Sequence, residues 1–144
     1  MSRAAQIGWQ LLAAVLLGGS SGCGQSQPPP LVPVRGKVYY QGRPLPLGTI
    51  VFTPDRQRGT DGPISVGEIQ PDGSYVLRTQ EGQGAIAGWH RVTIAAIDVP
   101  PPMPGQVVVL PRSLLPDKYR DPDRSGLCCE IRPGQENGIN FHLQ

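Results

Sequence analysis

From Leu31 onward the chain alternates apolar and polar residues in short runs, and turn-forming residues separate those runs. In "VPVRGKVYY" (32–40) Val34, Gly36, Val38 and Tyr40 share one face, while Arg35 and Lys37 share the other, as a half-buried strand requires. "QGRPLPLG" (41–48) is turn chemistry, and "TIVFTP" (49–54) predicts a second strand that Pro54 ends. "DRQRGTDGP" (55–63) reads as an exposed loop with nothing apolar to bury, before a third strand in "ISVGEIQ" (64–70). Asp72-Gly73 turns the chain into a fourth strand, where Tyr75, Leu77 and Thr79 alternate with Val76 and Arg78.

The next strand is predicted at 89–97, with Trp89, Arg91 and Thr93 on one face and His90, Val92 and Ile94 on the other. "PPPMPG" (100–105) breaks the chain, "QVVVLP" (106–111) predicts a short strand, and 112–126 is irregular. "LCCEIRP" (127–133) and "GINFHLQ" (138–144) supply the last two strands. Seven or so strands with no helix between them indicate an all-β, antiparallel, seven-stranded sandwich of about a hundred residues.

Composition narrows the class. Among 144 residues, 19 Gly and 17 Pro suit a turn-rich β domain, and 38% hydrophobic residues with a net charge of +2 argue against wholesale disorder. The basic residues are scattered, so nothing points to nucleic acid. No internal repeat is visible.

The N-terminus carries a different signal. Arg3 provides a short positive end, "IGWQLLAAVLL" (7–17) an apolar middle too short to span a bilayer comfortably, and "GGSSG" (18–22) small residues before Cys23. "GQSQPPP" (24–30) follows as a tether stiffened by proline. The organisation expected is thus a signal peptide over 1–22, a lipidated Cys23 with a flexible tether over 23–33, and a β domain over 34–144. Removal of 1–22 takes away Arg3 and leaves twelve basic against eleven acidic residues, a net of +1. A surface this close to neutral would not grip headgroups by charge, so the anchor would do so.

Gly22-Cys23, with Ser21 before it, resembles a bacterial lipobox, although Ser20 stands where that motif usually has Leu. "VRGKVYYQGRPLPLGTIVFTP", "DGSYVL", "GWHRVTI", "LPDKYRDPDRSGL" and "RPGQENGINFHL" together resemble the predicted lipoproteins abundant in planctomycete bacteria. Those proteins carry a transthyretin-like domain akin to the regulatory domain of some carboxypeptidases. The resemblance covers about residues 34–144 and implies a seven-stranded β-sandwich with little chemistry. The one enzyme known on this fold, a hydrolase of 5-hydroxyisourate, closes on Tyr-Arg-Gly-Ser, whereas this chain closes on "NFHLQ".

Candidate chemistry is sparse. Cys128 and Cys129 are adjacent, so a disulfide between them would close a strained ring; alternation buries Cys129 and exposes Cys128, a candidate for an intermolecular disulfide in an oxidising compartment. Asp117, Asp121 and Asp123 are interleaved with Lys118, Arg120 and Arg124, a pattern that favours local ion pairs over calcium. Lys37 and Asn140, with Glu68 to assist, are the residues an isopeptide crosslink would use, but Lys37 falls on the outer face. His142 is expected to be exposed, and His90 to pack beside Val92. Trp89 and Tyr39 are candidate rings for stacking on a sugar, with core packing the favoured fate for Trp89.

No catalytic residue, metal or cofactor is expected. The function expected is a non-catalytic structural or protein-interaction module, held by lipid on a membrane in the bacterial envelope. A glycan- or peptidoglycan-binding module is the alternative. The expected partners are the membrane and an envelope protein or glycan.

Overall fold

The structure, a computed structural model, describes residues 27–105 and 107–144. The expected signal peptide and Cys23 lie outside the described residues.

The fold is all-β. Its strands in chain order are β1 (Leu31–Val32), β2 (Val34–Tyr40), β3 (Arg43–Pro44), β4 (Gly48–Pro54), β5 (Ser65–Ile69), β6 (Ser74–Val76) and β7 (Ala85–Ile86). They continue with β8 (Gly88–Ala95), β9 (Ile97–Asp98), β10 (Arg112–Ser113), β11 (Cys128–Ile131), β12 (Asn137–Gly138) and β13 (Phe141–Leu143). The frequent Pro and Gly residues divide the expected runs into these shorter pieces.

Two sheets carry the fold. One has the antiparallel order β11-β8-β4-β5. In the other, β2 is central, flanked by β12 and β13 on one side and by β6 and β3 on the other. Phe52 of the first sheet lies with its ring centroid 6.2 Å from Tyr75 and 5.9 Å from Phe141 of the second, so the sheets face each other over a common core. Val34, Val38, Ile50, Leu77, Val92, Ile94, Ile131 and Leu143 fill the rest of it. This arrangement is consistent with a β-sandwich.

Three expectations change. The sheets are not wholly antiparallel, because β12 and β13 run parallel to β2. Leu31 and Val32 belong to the fold rather than the tether: they pair with β7, and Val32 is buried. No strand forms over 107–111, where Val107 is 97% exposed, since the surrounding prolines cannot donate to a ladder.

The parallel closure has a specific chemistry. Asn137↔Val34 and Phe141↔Val38 keep one register, but between them the last strand departs from regular pairing. There the Ile139 carbonyl accepts a hydrogen bond from the Tyr75 hydroxyl at 2.7 Å, across β2 at Gly36. A Cβ on Gly36 would lie 1.7 Å from that carbonyl oxygen, so only glycine fits. Asn140 Oδ1 accepts the Lys37 backbone N–H at 2.8 Å, taking the place of a main-chain acceptor.

His90 points into the core as expected and is fully buried. Its Nδ1–H donates to the Gly88 carbonyl at 3.0 Å, and Nε2 has no partner. Burial therefore depresses its basicity below the ordinary imidazole value of 6.5, against a smaller opposing effect of the Gly88 bond. With the folded value depressed, the unfolded chain binds the proton first, so His90's contribution is complete above pH 6.5 and is lost as pH falls below it. The melting temperature of the wild type should fall between pH 7 and pH 5 more steeply than that of His90→Phe. Parallel slopes in calorimetry would show that His90 titrates without hindrance.

Candidate functional site

The outer face of the β11-β8-β4-β5 sheet holds the densest group of functional side chains. Pro54 ends β4, and Asp55 follows with its backbone N–H on the Trp89 carbonyl at 2.9 Å. The Asp55 carboxylate caps a short 3-10 turn, Arg56–Arg58, by accepting the Gln57 N–H at 3.1 Å. Thr60 returns to the same strand, its Oγ1 accepting the Trp89 N–H at 2.8 Å. The loop expected to be wholly exposed is thus pinned at both ends, with Asp55 and Thr60 buried.

Arg91 is the hub of the site. Its Nε lies 3.4 Å from Asp55, Nη1 pairs with Asp123, and Nη2 donates to Gln57 Oε1 at 2.8 Å. Arg58 Nε lies 3.5 Å from Asp55, and its guanidinium stands 4.5 Å over the Trp89 ring. A cleft of about 350 Å³ lies among Asp55, Arg58, Arg91, Asp123 and Cys128. Two guanidinium groups and two carboxylates cancel in formal charge, and most of the polar valence is spent within the cluster. These pairs tie the loop after β4 and the segment before β11 to the same sheet face.

Asp123 therefore pairs with Arg91 across the sheet rather than locally. Asp117 does pair locally, with Arg120, while the Asp121 side chain accepts the Asp123 N–H at 2.9 Å. Ser125 fastens this segment to the sheet, its hydroxyl donating to the Val92 carbonyl at 2.7 Å. Among the described residues no group of three or more His, Cys, Asp or Glu side chains converges as a metal site would need.

The cysteines separate as the alternation predicts. Cys128, exposed, lies opposite Arg91 and lines the cleft; Cys129, half-buried, lies opposite His90 and packs on the core. Both are free thiols. Burial, with the neighbouring Cys128 adding to it, pushes the Cys129 thiol up to about 12.

Trp89 and Tyr39 occupy the outer faces of different sheets, so they cannot form one stacking platform. Trp89 is half-buried under Arg58, outside the core. Tyr39 stacks on His142, which is exposed as expected, with centroids 4.8 Å apart and planes within 4°. The isopeptide set is not assembled either. The Lys37 ammonium lies 3.7 Å from Asp72, Asn140 is committed to a backbone N–H, and Glu68 is exposed on β5 of the opposite sheet.

Asp55, Thr60 and Gln57 escaped the sequence reading. The available signal was the order Pro-Asp-x-x-x-Gly at 54–59, a strand stop, a capping residue and a left-handed terminator in turn. No family model, curated protein or solved structure matches the chain.

Of the two described cysteines, iodoacetamide should modify Cys128 in the folded protein, and Cys129 only after denaturation. Peptide mapping checks this, and equal labelling of both under native conditions would contradict the placement of Cys129.

Proposed function

We propose that this protein is a lipoprotein of the bacterial cell envelope, in which a transthyretin-like β-sandwich akin to carboxypeptidase regulatory domains acts as a non-catalytic structural or protein-interaction module. In this reading the signal over 1–22 is removed and Cys23 is acylated. The observation that carries it is the junction between anchor and fold: Gln27–Pro30 are all exposed, and regular pairing starts at Leu31. Seven residues, 24–30, then separate an acylated cysteine from the domain, enough to span about 20 Å in extended form. The self-neutralising cleft supports a scaffold over an enzyme, because its ion pairs hold two loops on one sheet. The opposed positions of Trp89 and Tyr39 weigh against the glycan-binding alternative.

Metabolic labelling with an alkyne fatty acid tests the anchor in bacteria expressing the full chain with a C-terminal tag. Label should appear on the wild type and be absent from Cys23→Ser, with the wild type sedimenting with membranes. An unlabelled wild type would remove the anchor from the account.

A further inference from the structure

Among the described residues, eight large apolar side chains are strongly exposed, and six of them fall in one short stretch: Ile97, Val99, Met103, Val107, Val108 and Leu110. Exposed apolar residues scattered singly need no explanation, but this concentration does. β9 and β10 form the base of the stretch, closed by an Arg112–Asp98 ion pair of 3.0 Å that cancels the nearest charges. From 99 to 111 the sequence has no charged residue and five prolines. Proline has no N–H, so this backbone brings fewer unpaired donors into an apolar medium than an ordinary loop would. Absent charge and few donors are the features that lower the cost of entering hydrocarbon, and they distinguish this loop from the charged turns elsewhere on the molecule.

The two described arms of this loop, 99–105 and 107–111, lie at the opposite end of the domain from the tether. β1 pairs with β7 just before β8 starts, while the loop follows β8's far end through β9. The eight residues of β8 separate the two points by about 25 Å. We infer that the loop is a second membrane contact: its Val107, Val108 and Leu110 side chains enter the lipid surface, and the domain lies with its strands along the bilayer. The tether suits this geometry, since an extended reach of about 20 Å lets the first end rest at the surface without lifting the second. This deepens the anchored reading above by naming how the domain sits on the membrane. The occupant is the bilayer interface, recognised by apolar burial rather than by headgroup charge.

The test uses the full-length acylated chain in vesicles of phosphatidylethanolamine and phosphatidylglycerol, with acyl chains either plain or brominated. Val108→Trp places a fluorophore on the loop, and Asp61→Trp places one on an exposed turn as control. Brominated lipid should quench the added fluorescence of Val108→Trp by about half or more, and leave that of Asp61→Trp unchanged, because interfacial segments bury their apolar face only about 5–10 Å deep. No quenching at Val108→Trp in a chain that carries the lipid label would overturn the inference and leave the anchor intact. Quenching in a chain without label would keep the membrane contact and sink the anchor instead. Far-UV circular dichroism identical to wild type confirms that each variant is folded.

Discussion

The hydroxyl of Tyr75 holds the closing strands, β12 and β13, against β2, and most of the architecture rests on that hold. The ring lies across β2 at Gly36, the one position where the absence of a Cβ leaves room for the Ile139 carbonyl. Because the carbonyl turns inward to meet the hydroxyl, the strand loses a regular pairing there, and the Asn140 side chain supplies the missing acceptor to Lys37. β12 and β13 can then share a single register on β2 despite the interruption. The same Tyr75 ring, with Phe141 of the closing strand, packs on Phe52 from the facing sheet. One residue thus joins β2 to the closing strands and one sheet to the other.

With the interior fixed this way, the outer face of the β11-β8-β4-β5 sheet is free to collect polar groups. Its loops are held there by pairing among charges: Arg91 links the segment after β4 to the segment before β11 through Asp55 and Asp123. Removing one partner would leave a buried or half-buried charge uncompensated, which is why such networks fix loops better than they add stability. The distinctive surface lies elsewhere, in an uncharged, proline-rich loop at the end of the domain remote from the tether. In the proposed reading, anchor, domain and loop together form a small module lying on a membrane.

Much of this was legible in the sequence. The alternations at 34–40 and 89–97 grouped Val34 with Val38, and His90 with Val92 and Ile94, on the faces that are buried, because a half-buried strand writes its burial into a period of two. Cys128 and Cys129 separated for the same reason. Alternation carries no information on strand direction, so the parallel pairing of β13 with β2 was hidden. It also cannot foresee side chains that satisfy main-chain groups far away in sequence, as Asn140 and Thr60 do. Trp89 shows a third limit: core packing was the favoured expectation, but the ring lies outside the core, beneath the Arg58 guanidinium.

Native-state hydrogen exchange on Tyr75→Phe tests the central claim most directly. Losing the hydroxyl leaves the Ile139 carbonyl without its partner, at a cost of about 1–3 kcal/mol. The Ile139 amide, bonded to Arg35, and the Gln41 amide, bonded to Leu143, report on the closing strand, while the Asp55 amide, bonded to Trp89, and the Val92 amide, bonded to Leu127, report on the facing sheet. The account predicts that exchange at Ile139 and Gln41 accelerates selectively, with Asp55 and Val92 retaining their protection. Equal acceleration at all four amides, or none at Ile139, would contradict the claim that Tyr75 holds the closing strands on β2.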